Sequence, residues 1–112
     1  MLSKEMAKID WNSKTSKEIK NLVRGLNPIM GAYALYNDKK IKLWKVEIVG
    51  DGSANENSVP GQILISNDKQ GLYIKTIDGV IKVVEIQGEN AKRMNICDFL
   101  RGNRLEEGTI LQ

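Results

Sequence analysis

The stretch Leu72-Tyr73-Ile74-Lys75-Thr76-Ile77-Asp78-Gly79-Val80-Ile81-Lys82-Val83-Val84-Glu85-Ile86-Gln87 holds two runs rich in β-branched residues around an Asp-Gly pair. β-Branched side chains fit a pleated surface better than a helix, and Asp-Gly readily supplies the positive φ angles of a type I′ hairpin. The spacing predicts an antiparallel strand pair over 72–77 and 80–87, turning at Asp78-Gly79. Before this pair, Ala32–Tyr36, Ile41–Val49 and Gln62–Ser66 have the same character, so five strands are expected in sequence. Asn37-Asp38 supplies turn chemistry between the first two, and Asn67–Gly71 between the third and fourth. Within Ile41–Ile48 the apolar phase slips: Ile41 and Leu43 alternate together, while Trp44, Val46 and Ile48 take the opposite parity. A bulge, or burial on both faces at a barrel corner, accounts for such a slip. Gly50–Gly61, rich in small and turn-forming residues and ending in Pro60-Gly61, predicts an exposed, mobile loop that tolerates insertion.

Helix signals flank the strands. Thr15 and Glu18 form a capping-box pattern, and Ile19, Leu22, Val23 and Leu26 then recur at the spacing of one helical face, with Gly25 and Asn27-Pro28 as the stop. Asn95 caps a short second helix through Arg101, ended by Gly102, whose Ile96, Phe99 and Leu100 face inward. The expected fold is mainly β: a small OB-like Greek-key β-barrel of about five antiparallel strands, with an N-terminal helix and a short C-terminal helix. An open meander packed on two helices is the alternative.

At 112 residues and 41% hydrophobic content, the chain supports one globular domain. No apolar run approaches the roughly 18 residues of a bilayer span, and Met1–Asp10 lacks a signal-peptide core, so a cytoplasmic protein without membrane contact is expected. The lone Cys97 has no partner for an internal disulfide, and its apolar neighbours Ile96, Phe99 and Leu100 predict a small buried core residue. The chain contains no histidine, which removes Ser-His-Asp, Cys-His and His-metal chemistry together. There is no P-loop or dinucleotide fingerprint, and no pattern pairs two carboxylates. No catalytic residue, metal ligand or bound cofactor is assigned; the chain reads as a binding or structural module.

Charge is uneven. Residues 1–45 carry ten Lys or Arg against four Asp or Glu, a balance of +6, whereas residues 46–112 carry seven against ten, a balance of −3. One basic face and an anionic partner would fit this distribution, as would a solvated surface. Lys17, Lys20 and Arg24 form a stripe on the polar side of the first helix.

Several short stretches, in order, resemble the C-terminal domain of methionyl-tRNA formyltransferases. They are Ile9-Asp10-Trp11, Arg24-Gly25-Leu26-Asn27-Pro28, Ile41-Lys42-Leu43-Trp44-Lys45, Pro60-Gly61, and Phe99-Leu100-Arg101-Gly102 followed by Arg104-Leu105. One departure is Ile29-Met30, where that family commonly has Trp-Pro. The resemblance implies an OB-like barrel whose basic surface helps hold initiator methionyl-tRNA against a separate N-terminal catalytic domain. That domain would use 10-formyltetrahydrofolate and carry an Asn-His-Asp set, so the sequence is expected to be a piece of a longer, monomeric enzyme. Residues 1–13 would be a remnant of the interdomain linker and 14–112 the domain. The phosphate contacts expected are Lys14, Lys17, Lys20 and Arg24 along the helix and Lys39, Lys40, Lys42 and Lys45 around the second strand. Arg24 stands out because Arg forks onto phosphate oxygens. Trp11, Trp44 and Tyr73 are either stacking faces for unpaired bases or core aromatics, and Trp44, among β-branched neighbours, is read as core. Trp11 could instead pin the linker onto the barrel. Two other functions fit: a structural wing of another 10-formyltetrahydrofolate-dependent formyltransferase, and a stand-alone OB-type nucleic-acid binder.

Overall fold

In the computed structural model, which describes residues 8–26, 32–50, 58–89 and 91–112, the β-branched runs form one antiparallel sheet. Its strands are β1 (Ala32–Tyr36), β2 (Lys39–Gly50), β3 (Ile63–Asn67), β4 (Gly71–Lys75), β5 (Val80–Gln87) and the two-residue β6 (Met94–Asn95). Their order is β1-β2-β5-β4-β3, with β6 added beside β5. Helix α1 (Ser16–Leu26) packs against β2, and helix α2 (Ile96–Gly102) packs against β5, β4 and β3. Mainly β architecture with a helix before and a helix after the sheet is what the sequence predicts.

The capping box forms as expected: Thr15 N donates to Glu18 Oε1 (3.0 Å) and Glu18 N donates to Thr15 Oγ1 (3.1 Å). Ile19 and Val23 are buried and Leu22 packs against the core. The expected stop at Asn27-Pro28 lies outside the described residues, as does most of the Gly50–Gly61 loop, residues 51–57. Asn95 caps α2 by accepting from Cys97 N (2.9 Å), and Asn103 N closes its end on Phe99 O (2.8 Å). Cys97 itself is only partly buried at the core's edge, because the second position of a helix this short faces the rim.

The turns depart from expectation in one place. Asp78 and Gly79 both have ordinary backbone angles, while Asn37 (φ 48°) and Asp38 (φ 69°) hold the positive pair of a two-residue hairpin closed by Tyr36 and Lys39. At the β4–β5 end, Thr76 N donates to Gly79 O (2.8 Å) and Gly79 N to Thr76 Oγ1 (2.9 Å), so the turn sits at Ile77-Asp78 and β4 stops at Lys75. Asp78 has another task. Its carboxylate accepts from Ser16 N (2.8 Å) and from Thr76 Oγ1 (3.1 Å), capping α1 from across the fold. Gly79 is a glycine for space: a Cβ there would lie 2.3 Å from the Gly50 carbonyl oxygen.

The phase slip in β2 is a bulge. Leu43 pairs with Ile86 and Lys45 with Glu85, so the register shifts across Trp44. Leu43 and Val46 are then both in the core, whereas Ile48, of the same parity as Val46, is 46% exposed. The reason is that β1 pairs only with Lys39–Leu43, so the far half of β2 runs on beyond it.

The hydrogen-bonded ladder stays open between β1 and β3, and the tail bridges the two edges. Ile63 N donates to Thr109 O and Leu111 N to Gly61 O (both 2.8 Å) on the β3 side. Gln112 and Leu35 exchange two backbone bonds (2.7 and 3.0 Å) on the β1 side. Leu111, within this strap, has its side chain buried, and residues 8–11 lie against the other part of the β1 edge, with Ile9 and Trp11 in the core.

Candidate nucleic-acid interface

The β2 bulge turns Trp44 out of the main core cluster, yet its ring is only 8% exposed because other side chains cover it. Trp44 Nε1 donates to Gln87 Oε1 (2.9 Å). The guanidinium of Arg93 lies 5.0 Å from the Trp44 ring centroid and Lys42 Nζ 5.9 Å. Arg93 also pairs with Glu85 on β5. Above this floor, between α1 and the β2–β5 sheet, is a notch of about 400 Å³. Lys20, Val23 and Arg24 form its helical wall, and Lys45, Glu47, Glu85 and Arg93 its sheet side. Four cations thus meet two carboxylates in a concavity, which focuses positive potential where an anion would sit.

The helix spacing explains the α1 wall. Val23 is buried against the sheet, and Lys20 and Arg24, four positions apart and so neighbours on one helical face, lie beside it with their stems along the notch. Lys17 is exposed in the first turn and does not line the notch; Lys14 lies before the helix, where its charge helps hold the Glu18 carboxyl down. Lys39 and Lys40 lie toward the other end of β2 and line a second cleft of about 450 Å³ with Tyr36, Phe99 and Arg104. Lys40 Nζ is also 4.3 Å from the Tyr33 ring centroid. Of the eight lysines and arginines singled out from the sequence, the fold therefore gathers Lys20, Arg24 and Lys45 in one notch, sets Lys42 beside it, and separates the rest.

Trp11 and Trp44 present no open face for a base, Trp11 being 2% exposed. Tyr73 is half-buried, with Lys82 Nζ 5.8 Å from its ring centroid. Arg93 in the notch and Arg104 in the second cleft are basic residues outside the eight singled out from the sequence. Arg104 stands in a recognised stretch but outside the basic half. Nothing in Lys92-Arg93-Met94 marks Arg93; only the pairing of β6 with β5, Asn95 opposite Glu85, carries it to the notch.

The start of α1 is the other electrostatic feature. The Glu18 carboxyl is held below its ordinary value by hydrogen bonds from Thr15, backbone first, and the Asp78 carboxyl is lowered chiefly by the Ser16 backbone N–H. Both carboxylates sit at the positive end of the helix dipole.

An antiparallel barrel-like sheet with a flanking helix and a basic notch defines an OB-like domain. The chain belongs to the formyl transferase C-terminal domain family, whose model matches residues 1–104. It is 42% identical over 108 residues to the methionyl-tRNA formyltransferase of Ruminiclostridium cellulolyticum, covering 96% of this chain and 34% of that one. It is 39% identical over 112 residues to the methionyl-tRNA formyltransferase of Caldanaerobacter subterraneus subsp. tengcongensis, covering 100% and 34%. The chain thus spans about a third of the length of these relatives. Among solved structures, HypX from Aquifex aeolicus in complex with tetrahydrofolic acid shares the fold, with a TM-score of 0.68 at 17% identity over 88% of this chain and 17% of that one.

Proposed function

We propose that this chain is the tRNA-binding part of a methionyl-tRNA formyltransferase. It holds initiator methionyl-tRNA by its phosphates while a preceding catalytic domain transfers the formyl group from 10-formyltetrahydrofolate in the cytoplasm. The observation that carries the reading is the notch: cations separated by as much as 73 positions, Lys20 and Arg93, converge on one concavity in a member of this family. Phosphate contacts give attraction and register but no base identity, so the chemistry and the choice of tRNA rest on other parts of a monomeric enzyme. Lys20, Arg24 and Lys45 are the principal contacts and Lys42 adjoins them. Lys39 and Lys40, with Arg104, form a second contact, and Lys14 and Lys17 add long-range attraction. Residues 1–13 serve as the junction to the catalytic domain.

Replacing Lys20, Arg24 and Lys45 together with Ala tests this. Affinity for tRNA, read by anisotropy at about 50 mM salt, is expected to fall on the order of 10- to 100-fold with the thermal melt little changed. Unchanged affinity would remove the notch from the site. A second reading, a structural wing that makes no specific RNA contact, is compatible with the fold shared with HypX. Equal affinity for tRNA and heparin, insensitive to the triple substitution, would mark that case.

A further inference from the structure

Arg93 is held in place from two sides. One nitrogen, Nη2, bonds Glu85 Oε2, and the guanidinium lies 5.0 Å from the centroid of Trp44. Trp44 is fixed in turn by its bond to Gln87, whose own amide nitrogen donates to Ala91 O (2.8 Å) in the loop leading to Arg93. A guanidinium carries five N–H donors in a rigid plane, and Glu85 engages one edge of it. The side chain remains 46% exposed and lines the notch opposite Lys20 and Arg24 of α1. The ion pair costs the notch little, because a half-exposed Arg–Glu contact is weak in water. What it provides is orientation: an Arg already aligned gives up less side-chain freedom when it grips an anion.

We propose that Arg93 is a phosphate-gripping residue of the notch, held ready by Glu85 and the Trp44 ring, and that it forks onto an RNA phosphate facing Lys20 and Arg24. This rests on the reading of the notch as an RNA phosphate site. It adds a contact from the acidic half of the chain and assigns the β2 bulge a purpose, since only the bulge puts Trp44 beneath Arg93.

The test compares Arg93→Ala, Arg93→Lys and the double variant Lys20→Ala/Arg24→Ala with the unaltered chain, using a fluorescent initiator tRNA over a salt series. Arg93→Ala is expected to weaken binding about tenfold and to reduce the slope of log affinity against log salt by about one. Arg93→Lys keeps the charge and so the slope, but loses the fork and the alignment, and is expected to recover only a minor part of the affinity. Circular dichroism should show all variants folded, since the Arg93 side chain is half-exposed. If Arg93→Ala matches the unaltered chain while the α1 double variant binds weakly, the proposal is wrong and the phosphate reading stands. If Arg93→Lys binds as well as Arg, the preset fork is wrong. If neither Arg93→Ala nor the α1 double variant weakens binding, both the proposal and the reading of the notch fall.

Discussion

Thr76 and Asp78 show how few atoms join the sheet to its first helix. Thr76 is fully buried and its hydroxyl donates to Asp78, so its single proton is spent and the Ser16 hydroxyl, 2.6 Å away, must donate to it. Thr76→Val would leave Ser16 Oγ and Gly79 N without that acceptor, and a loss of about 1–3 kcal/mol is expected, seen as a lower melting temperature. The carboxylates at this helix start also set an acid limit. The folded-state values of Glu18 and Asp78 lie below their ordinary 4.5 and 3.8, so their contribution is complete above those values. It declines as pH falls through the lowered folded values, where both protonate. Denaturant midpoints measured from pH 6 to pH 2 should therefore drop below about pH 4, and Asp78→Asn should make that drop shallower. Gly79→Ala would press a methyl onto the Gly50 carbonyl and is expected to destabilise the chain by about 1–3 kcal/mol, again by melting. The Asp78-Gly79 pair looked like a type I′ turn because local propensity could not register that the carboxylate would be drawn to a helix some 60 positions earlier.

Elements were legible where their cause is local. The capping box of α1, the Asn95 cap of α2, the extent of β1 and β5 and the bulge in β2 all follow from side chains within a few positions of one another. The strap was not legible. Thr109–Gln112 is too short to show a strand pattern, and its role appears only when β1 and β3 are in place with unpaired edges. Leu111 is the side chain that anchors it. Leu111→Ala should cost about 2–5 kcal/mol and lower the denaturant midpoint, both by opening a cavity and by loosening the strap over the two edges. A midpoint unchanged by this substitution would mean that the tail contributes little to closure.

Across the whole molecule, the charge imbalance marks one half of the chain rather than one surface. Counting by segment could not separate Lys20, Arg24 and Lys45, which share a notch, from Lys39 and Lys40 at the far end of the same strand. It also averaged Arg93 away among ten acidic residues of the second half. The family motifs were the stronger guide to identity and the weaker guide to the site, because they report folding as much as binding: Trp11 and Phe99 belong to recognised stretches and both are core. The proposed division of labour gives this domain attraction and leaves chemistry to the rest of the enzyme. The most direct measurement is tRNA affinity against salt for the unaltered chain and for Lys20→Ala/Arg24→Ala/Lys45→Ala. Removing three phosphate contacts should flatten the slope of log affinity on log salt by about 2 in the triple variant. An affinity flat in salt, or the same slope in both proteins, would contradict a phosphate-binding notch.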